Sequence, residues 1–184
     1  MTGAPSARKL RAAAALVLAA LLGGCASVQP LPASADRLSG RLAVRVEASA
    51  QSPVRNVNAA FELEGDARAG RLNLNSPLGS VLAQARWSPG SVVLATPEGE
   101  RAFADLDALT REALGESVPV TALFDWLRGR PWPGAESVAN APPAEPGFRQ
   151  LGWNVDLARF GEDWVAARRD TAPVVLVRAK LDRP

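Results

Sequence analysis

The sequence has no histidine and no tyrosine, and its single cysteine is Cys25. Histidine is the most common general base and metal ligand at neutral pH, so its absence argues against both kinds of site. One cysteine cannot form an internal disulfide. The chain also lacks a G-x-S-x-G turn, a phosphate-binding loop and a dinucleotide-binding glycine motif. We therefore expect no enzyme activity, no cofactor and no metal site.

Carboxylate pairs are the remaining candidates for acid–base chemistry. Asp105 and Asp107 form one pair, and Glu162 and Asp163 form another. We interpret the first pair as the start of a helix and the second as a solvated turn. A glycosidase-like pair assembled from distant residues stays open as an alternative, because sequence alone does not give the separation between carboxylates.

The first 25 residues have the order of a lipoprotein signal peptide. Three basic residues precede an apolar run at positions 12–22, which is too short to span a bilayer, and Leu22-Gly23-Gly24-Cys25 closes it. This order predicts removal of residues 1–24 and lipid attachment at Cys25. The alternative is an ordinary signal peptide that happens to end at a cysteine. Ala26 is not the aspartate that marks inner-membrane retention, which favours the outer membrane with the domain facing the periplasm.

The basic character of the whole chain comes from this leader. Removing residues 1–24 takes away three of the 21 basic residues and none of the 19 acidic ones, which leaves a formal charge of −1. We therefore expect no nucleic-acid partner. Residues 25–37, which contain Pro30 and Pro32, are predicted to be the acylated cysteine and a tether. Residues 38–184 suit one domain, which we expect to be monomeric.

Apolar and polar residues alternate in short runs between positions 38 and 96, separated by turns rich in Gly, Pro, Ser and Asn. This pattern predicts an antiparallel meander with one apolar face. The period becomes helical at residues 106–114, with Asp105 as N-cap and Gly115 as stop, and again after Pro119. The proline-rich stretch 129–147 is predicted to be a loop. Strands return from Trp153.

Two features leave alternatives open. The five tryptophans either pack in the core or line an apolar cavity; they are Trp87, Trp126, Trp132, Trp153 and Trp164. Leu78 lies between Pro77 and Gly79 in a connection between strands. It either projects outward or folds back as a hydrophobic plug on the sheet edge.

Several motifs together resemble one known family, the outer-membrane lipoprotein receptors of the LolB type. Besides the segment ending at Cys25, the motifs are Leu38-Ser39-Gly40-Arg41-Leu42, Gly70-Arg71-Leu72-Asn73-Leu74, Ser76-Pro77-Leu78-Gly79, the segment 123–131 (LFDWLRGRP) and the segment 148–153 (FRQLGW). They cover the mature domain. The chain departs from the family at its C-terminus, where it stops at Asp182-Arg183-Pro184, so the length of the last strand is in question.

The resemblance implies a mainly β fold with short helices, in which an incomplete antiparallel β-barrel has an apolar concave face covered by a helical lid. It also implies that the protein accepts acylated lipoproteins from the periplasmic carrier LolA and places them in the outer membrane. Pro77, Leu78 and Gly79 match the family's membrane-insertion loop. Strand parity and helical faces suggest the wall and lid of the acyl-chain cavity: Leu63, Leu74, Val81, Val93, Leu123, Phe124, Trp126 and Leu127.

Two other roles remain possible on the sequence. One is a lipid- or glycolipid-binding envelope lipoprotein without a carrier partner. The other is a purely structural envelope lipoprotein whose sheet is packed solid.

Overall fold

The structure is a computed structural model that describes residues 37–50 and 52–182. The predicted signal peptide, Cys25 and the tether up to residue 36 lie outside the described residues. The described residues belong to one compact unit and have their own hydrophobic core. A form of the chain that begins at Ala26 therefore keeps all of the described residues.

The first part of the domain consists of six consecutive strands. Their bounds are β1 Arg37–Val46, β2 Arg55–Gly65, β3 Gly70–Asn75, β4 Val81–Ser88, β5 Ser91–Thr96 and β6 Gly99–Phe103. Each strand pairs with the next in antiparallel fashion. The predicted meander is thus confirmed, with one strand more than the sequence pattern indicated.

Two short helices follow the meander, and five strands complete the chain. The helices are α1 Leu106–Leu114 and α2 Val120–Trp126. The strands are β7 Ser137–Ala139, β8 Gly147–Gln150, β9 Trp153–Asp156, β10 Trp164–Arg169 and β11 Val175–Leu181, with a 3₁₀ turn at Phe160–Glu162 before β10.

The eleven strands of the described residues belong to one antiparallel sheet, in the order β6-β5-β4-β3-β2-β1-β11-β10-β9-β8-β7. The described part of the chain thus begins in the middle of the sheet with β1, reaches one edge at β6, and returns from the other edge with β7. The last strand, β11, pairs with the first, β1, in the middle of the sheet, where Val44 lies opposite Val177. The two edge strands do not pair with each other, so the barrel is incomplete, as the resemblance implied.

One face of the sheet carries the core. Residues directly opposite in an antiparallel pair lie on the same face, and the buried residues of β1, β2, β10 and β11 follow that rule; among them are Val44, Phe61, Leu63, Val165 and Val177. Both helices contribute buried residues to this cluster. The helices therefore cover the apolar face, and the opposite face carries most of the charged residues of the strands.

Gly70, the first residue of the Gly70-Arg71-Leu72-Asn73-Leu74 motif, has a packing role that requires glycine. It lies opposite Trp87 across the β3–β4 pair, and a Cβ atom there would come within 2.5 Å of the indole ring and of the Glu64 carbonyl oxygen. Glycine at this position therefore leaves room for the buried Trp87 ring. The indole N–H then donates to the Asp66 carbonyl at 3.0 Å.

Candidate functional site

The connection between β3 and β4 forms a tight, braced turn. Pro77 and Leu78 occupy its two central positions, and the Gly79 amide donates to the Ser76 carbonyl at 2.9 Å. Proline favours the first of these positions because its φ is fixed. Below the turn, the Ser76 amide donates to the Ser80 carbonyl at 2.8 Å, and the Ser80 amide donates to the Ser76 hydroxyl oxygen at 3.1 Å.

Leu78 projects from this turn into solvent. The residue is 95% exposed, the most of any large apolar residue described. Gly79 has a φ of +85°, and nothing lies within 4 Å of the place a Cβ would occupy. The plug alternative does not describe this geometry. Instead a hydrogen-bonded turn holds an apolar side chain away from the sheet.

The exposed apolar surface continues from the turn into β4. Val81 is 58% exposed and Leu82 is 40% exposed. A β-bulge between Leu74 and Asn75 of the partner strand shifts the register here, so that Asn75 lies opposite Val81. The bulge breaks the alternation of faces at this end of the strand. The tip of the hairpin is therefore apolar and solvent-exposed over several residues.

The first helix begins and ends as the sequence predicted. The Asp105 carboxylate accepts a hydrogen bond from the Ala108 amide at 2.6 Å and caps the helix. Gly115 ends it in the left-handed conformation and donates to the Arg111 carbonyl at 2.8 Å. Leu106, Leu109 and Thr110 are buried. Ala113 is exposed, although its spacing from Leu106 and Leu109 is that of the apolar face of the helix.

The segment between the two helices is fastened to the sheet. Thr110 accepts the Val118 amide at 3.1 Å. The Arg169 guanidinium of β10 donates to the Glu116 carboxylate at 2.6 Å and lies over the Trp153 ring. Because the Arg169 side chain is mostly buried, water screens this ion pair less than it screens an ion pair on the exposed surface. It ties the helix–helix connection to the apolar face of the sheet.

The second helix provides the aromatic contacts of the lid. Phe124 packs edge-on against Trp87 at a centroid distance of 5.7 Å, and Trp126 packs against Phe148 at 6.5 Å and Trp153 at 6.0 Å. Trp126 is fully buried, and Trp87 and Trp153 are nearly so. Three of the five tryptophans are therefore packed core residues in this closed arrangement.

Gln150 holds the end of α2 through four hydrogen bonds. Its side-chain oxygen accepts the Trp126 indole N–H at 2.7 Å and the Trp132 amide at 2.9 Å. Its side-chain nitrogen donates to the Trp132 carbonyl at 2.7 Å and to the Ala135 carbonyl at 2.8 Å. Gln150 is 2% exposed, and these bonds use its full capacity. We did not predict this role from the sequence, although a polar residue alternating with Phe148 on an inward-facing strand was a usable signal.

The structure brings together most of the predicted cavity and lid residues. Leu63, Phe124, Trp126 and Leu127 are members of the buried core, and Leu74 and Leu123 pack against it while half-buried. Val81 stands apart as an exposed residue beside the bulge. These positions describe a lid closed over the apolar face.

The prediction for Val93 was wrong about its face. Val93 lies opposite Arg86 and Ala102, whereas Val92 lies opposite Trp87 and is buried. Arg86 belongs to the face that carries charged residues, so Val93 lies on the side of the sheet away from the lid. Two adjacent valines gave no alternation from which to choose the inward one.

One opening reaches the lid from the end of the sheet. A cavity of about 430 Å³ lies between the start of β1, the residues after α2 and the end of β11. Its apolar lining consists of Leu38, Leu127, Phe160 and Leu181. Leu127 is thus a predicted wall residue that lines a cavity in the closed arrangement.

Ion pairs stabilise the face away from the lid. Glu64 is paired with Arg71 and Arg37, and the hydrogen bond from Arg71 is the main cause that holds the pKa of Glu64 below its usual value. Backbone amides of Ala69 and Arg68 likewise lower the pKa of Asp66 in the β2–β3 turn. These carboxylates are therefore ionised at neutral pH and well below it.

The described residues contain no group of three or more His, Cys, Asp or Glu side chains able to hold a metal ion. Within residues 37–50 and 52–182, no helix is long and apolar enough to cross a membrane.

The fold is an incomplete antiparallel β-barrel whose apolar face is covered by two helices. An exposed apolar turn projects from its sheet. The family model described as outer membrane lipoprotein LolB matches residues 36–175. The chain is 37% identical over 190 residues to the outer-membrane lipoprotein LolB of Bordetella pertussis, covering 96% of this chain and 94% of that one. It is 36% identical over 191 residues to the LolB of Ralstonia nicotianae, covering 95% and 88%.

A third relative, the LolB of Thiobacillus denitrificans, is 35% identical over 167 residues, covering 85% of this chain and 86% of that one. The chain belongs to the LolB family of outer-membrane lipoproteins. Its function accordingly lies in lipoprotein localisation at the outer membrane.

Proposed function

We propose that this protein accepts acylated lipoproteins from a LolA-like periplasmic carrier and inserts them into the outer membrane, to which Cys25 anchors it. The observation that carries the insertion step is the 95% exposure of Leu78 on a turn braced by three hydrogen bonds. A lone solvated leucine gains nothing in water, but burying it in lipid contributes about 1.5–3 kcal/mol. That amount orients the domain at a bilayer without anchoring it.

The cargo explains why a covered apolar face is useful. Burying one acyl methylene is worth about 0.8 kcal/mol, so three chains of about 15 methylenes each hold roughly 36 kcal/mol of transfer free energy. Such chains must pass from one apolar environment to the next without entering water. An apolar sheet face offers that environment, and a helical lid keeps it covered when it is empty.

We propose that acyl chains enter when α2 moves away from the sheet. Phe124 packs against the Trp87 ring in the buried core, whereas Trp126 is also held by the hydrogen bond from its indole N–H to Gln150. Opening at Phe124, with Trp126 fixed, exposes the inward side chains of β2 and β4.

A hand-off assay tests the acceptance step. The soluble chain beginning at Ala26 is mixed with a purified complex of the carrier and an acylated lipoprotein, and the two proteins are then separated. We expect the lipoprotein to move to this domain. No transfer, with the domain folded and the carrier active toward another receptor, favours a lipid-binding lipoprotein without a carrier partner.

A further inference from the structure

A wide groove runs across the face of the sheet that points away from the lid. It has a volume of about 1220 Å³ and crosses β1, β11 and β10. Arg41 lies opposite Lys180, and Ala43 lies opposite Arg178, so both strands contribute cations to it. Their neighbours along the strands, Val44 and Val177, are buried and point to the opposite face, which carries the core. The groove is therefore separate from the acyl-chain site proposed above.

The groove is strongly basic. Its lining includes five cationic side chains and one carboxylate; these are Arg41, Arg159, Arg168, Arg178, Lys180 and Asp156. Three of the cations have carboxylate partners at 2.6 Å, 2.5 Å and 3.5 Å, namely Arg159 with Glu162, Arg168 with Asp170, and Lys180 with Asp163. We call this surface the basic groove.

Two guanidinium groups in the basic groove are not neutralised. Arg41 and Arg178 are exposed, and neither has a carboxylate partner among the described residues. Other exposed arginines on the same face, such as Arg45 and Arg86, form ion pairs with Glu47 and Glu100. Two adjacent strands thus present uncompensated positive charge at one place on a domain whose overall charge is nearly balanced.

The basic groove ends at the apolar turn. Pro77 and Gly79, which flank Leu78, line it. The exposed leucine and the uncompensated cations therefore lie next to each other on one side of the domain. A surface that joins an apolar tip to a basic patch matches a bilayer surface, where acyl chains lie beneath phosphate groups.

We propose that the basic groove binds the phosphate groups of anionic phospholipids when Leu78 enters the membrane. This proposal rests on the membrane-facing role proposed for Leu78. A guanidinium matches a phosphate in geometry, because two N–H groups can donate to two phosphate oxygens. The attraction extends over about one Debye length, roughly 10 Å at 0.1 M salt, so it guides the domain before contact. Leu78 and the groove together set which side of the domain faces the bilayer.

Vesicle binding tests this proposal with the soluble chain that begins at Ala26. The probes are vesicles of pure phosphatidylcholine and vesicles containing one third phosphatidylglycerol. Each basic residue near an anionic surface contributes about fivefold to binding. We therefore expect the double variant Arg41→Gln/Arg178→Gln to bind phosphatidylglycerol vesicles about 30-fold more weakly than the unaltered domain, with no change on phosphatidylcholine.

A matched control removes the same charge elsewhere. Arg68, in the β2–β3 turn, and Arg111, on α1, are exposed and do not line the groove. The double variant Arg68→Gln/Arg111→Gln should bind phosphatidylglycerol vesicles within about twofold of the unaltered domain. Equal losses in the two double variants would mean that net charge alone acts, which overturns the proposal. Unaltered binding by the Arg41→Gln/Arg178→Gln variant overturns it as well.

The hand-off assay separates this proposal from the proposed function. If the two arginines are needed for phosphatidylglycerol binding but the domain accepts no cargo, the transfer function fails and the headgroup site stands. If the Arg41→Gln/Arg178→Gln variant binds vesicles normally but no longer accepts cargo, the groove contacts a protein partner and the headgroup proposal fails. A domain that binds both vesicle types equally, at low and high salt, also contradicts it.

Discussion

Replacing Gln150 by leucine should release the end of the lid helix. Leucine has nearly the same volume, so the packing against Trp126 and Phe148 is largely kept. The change removes all four hydrogen bonds of the side chain, two to Trp132 and one each to Trp126 and Ala135. Trp126 is fully buried, so its indole N–H has no access to water in the folded state.

The cost follows from the count of lost bonds. Each contributes about 0.5–1.5 kcal/mol net, and a buried donor left without a partner costs about 1–3 kcal/mol. Backbone groups of Trp132 and Ala135 that lie near the surface can bond to water instead. The apolar leucine side chain, once buried, offsets part of the lost free energy. We expect the free energy of unfolding to fall by about 3 kcal/mol, a large share of the 5–15 kcal/mol typical of a domain.

Urea unfolding of the soluble domain, followed by tryptophan fluorescence, measures this loss. With a slope of about 2 kcal/mol per molar, the midpoint should fall by about 1.5 M. Gln84→Leu is the matched control, because Gln84 is only half-buried and makes one side-chain bond, to Asn73 at 2.8 Å; it should cost about 1 kcal/mol or less. Equal losses for the two variants would refute the reasoning that Gln150 holds the lid.

Three further predictions concern single contacts. Asp105→Ala should lower the free energy of unfolding by about 1 kcal/mol through loss of the N-cap, measured by urea unfolding; no change would contradict the cap's role. Gly129→Ala should cost at least about 1–2 kcal/mol, because φ is +74° and the new Cβ would lie 2.6 Å from the Phe160 ring; thermal unfolding checks this, and unchanged stability would refute it. The folded-state pKa of Glu64 is lowered, so its stabilisation is present above its ordinary pKa and is lost as pH falls through the folded value. Glu64→Gln should therefore lose less stability than the unaltered domain when urea unfolding is repeated at pH 7 and pH 3, and an equal loss would contradict the ion pairing.

The sequence was most informative where alternation was regular. Strands β1 to β5 and β9 to β11, together with both helices, were predicted because their apolar periods match strand and helix geometry. Strand β6 was missed because four of its five residues are exposed and carry no apolar alternation. Strands β7 and β8 were missed because they lie in or beside a proline-rich stretch. Only pairing along the sheet identifies these three strands.

Part of the candidate site was also predictable from regular apolar periodicity. Leu63 and Phe124 followed from periodicity, and the outward turn at Leu78 was one of two open alternatives. Val93 was misplaced because two valines are adjacent, and only the register with Trp87 decides which points inward. The role of Gln150 depends on backbone groups of a loop 15 and 18 residues earlier in the chain, and local patterns carry no information about such contacts.

The measurement that tests the central claim most directly follows acceptance and insertion in one sample. Carrier–lipoprotein complex, the soluble domain and phospholipid vesicles are combined, and the cargo on the carrier, on the domain and in the vesicles is counted over time. Val138→Glu, at an edge strand residue that is 68% exposed, provides the matched control for Leu78→Glu. The account predicts that Leu78→Glu accepts cargo at the normal rate but delivers at least about tenfold less to vesicles, as expected from the lost leucine burial, while Val138→Glu does both normally. Equal loss of acceptance and insertion in Leu78→Glu, or normal insertion, would contradict a separate membrane role for this turn.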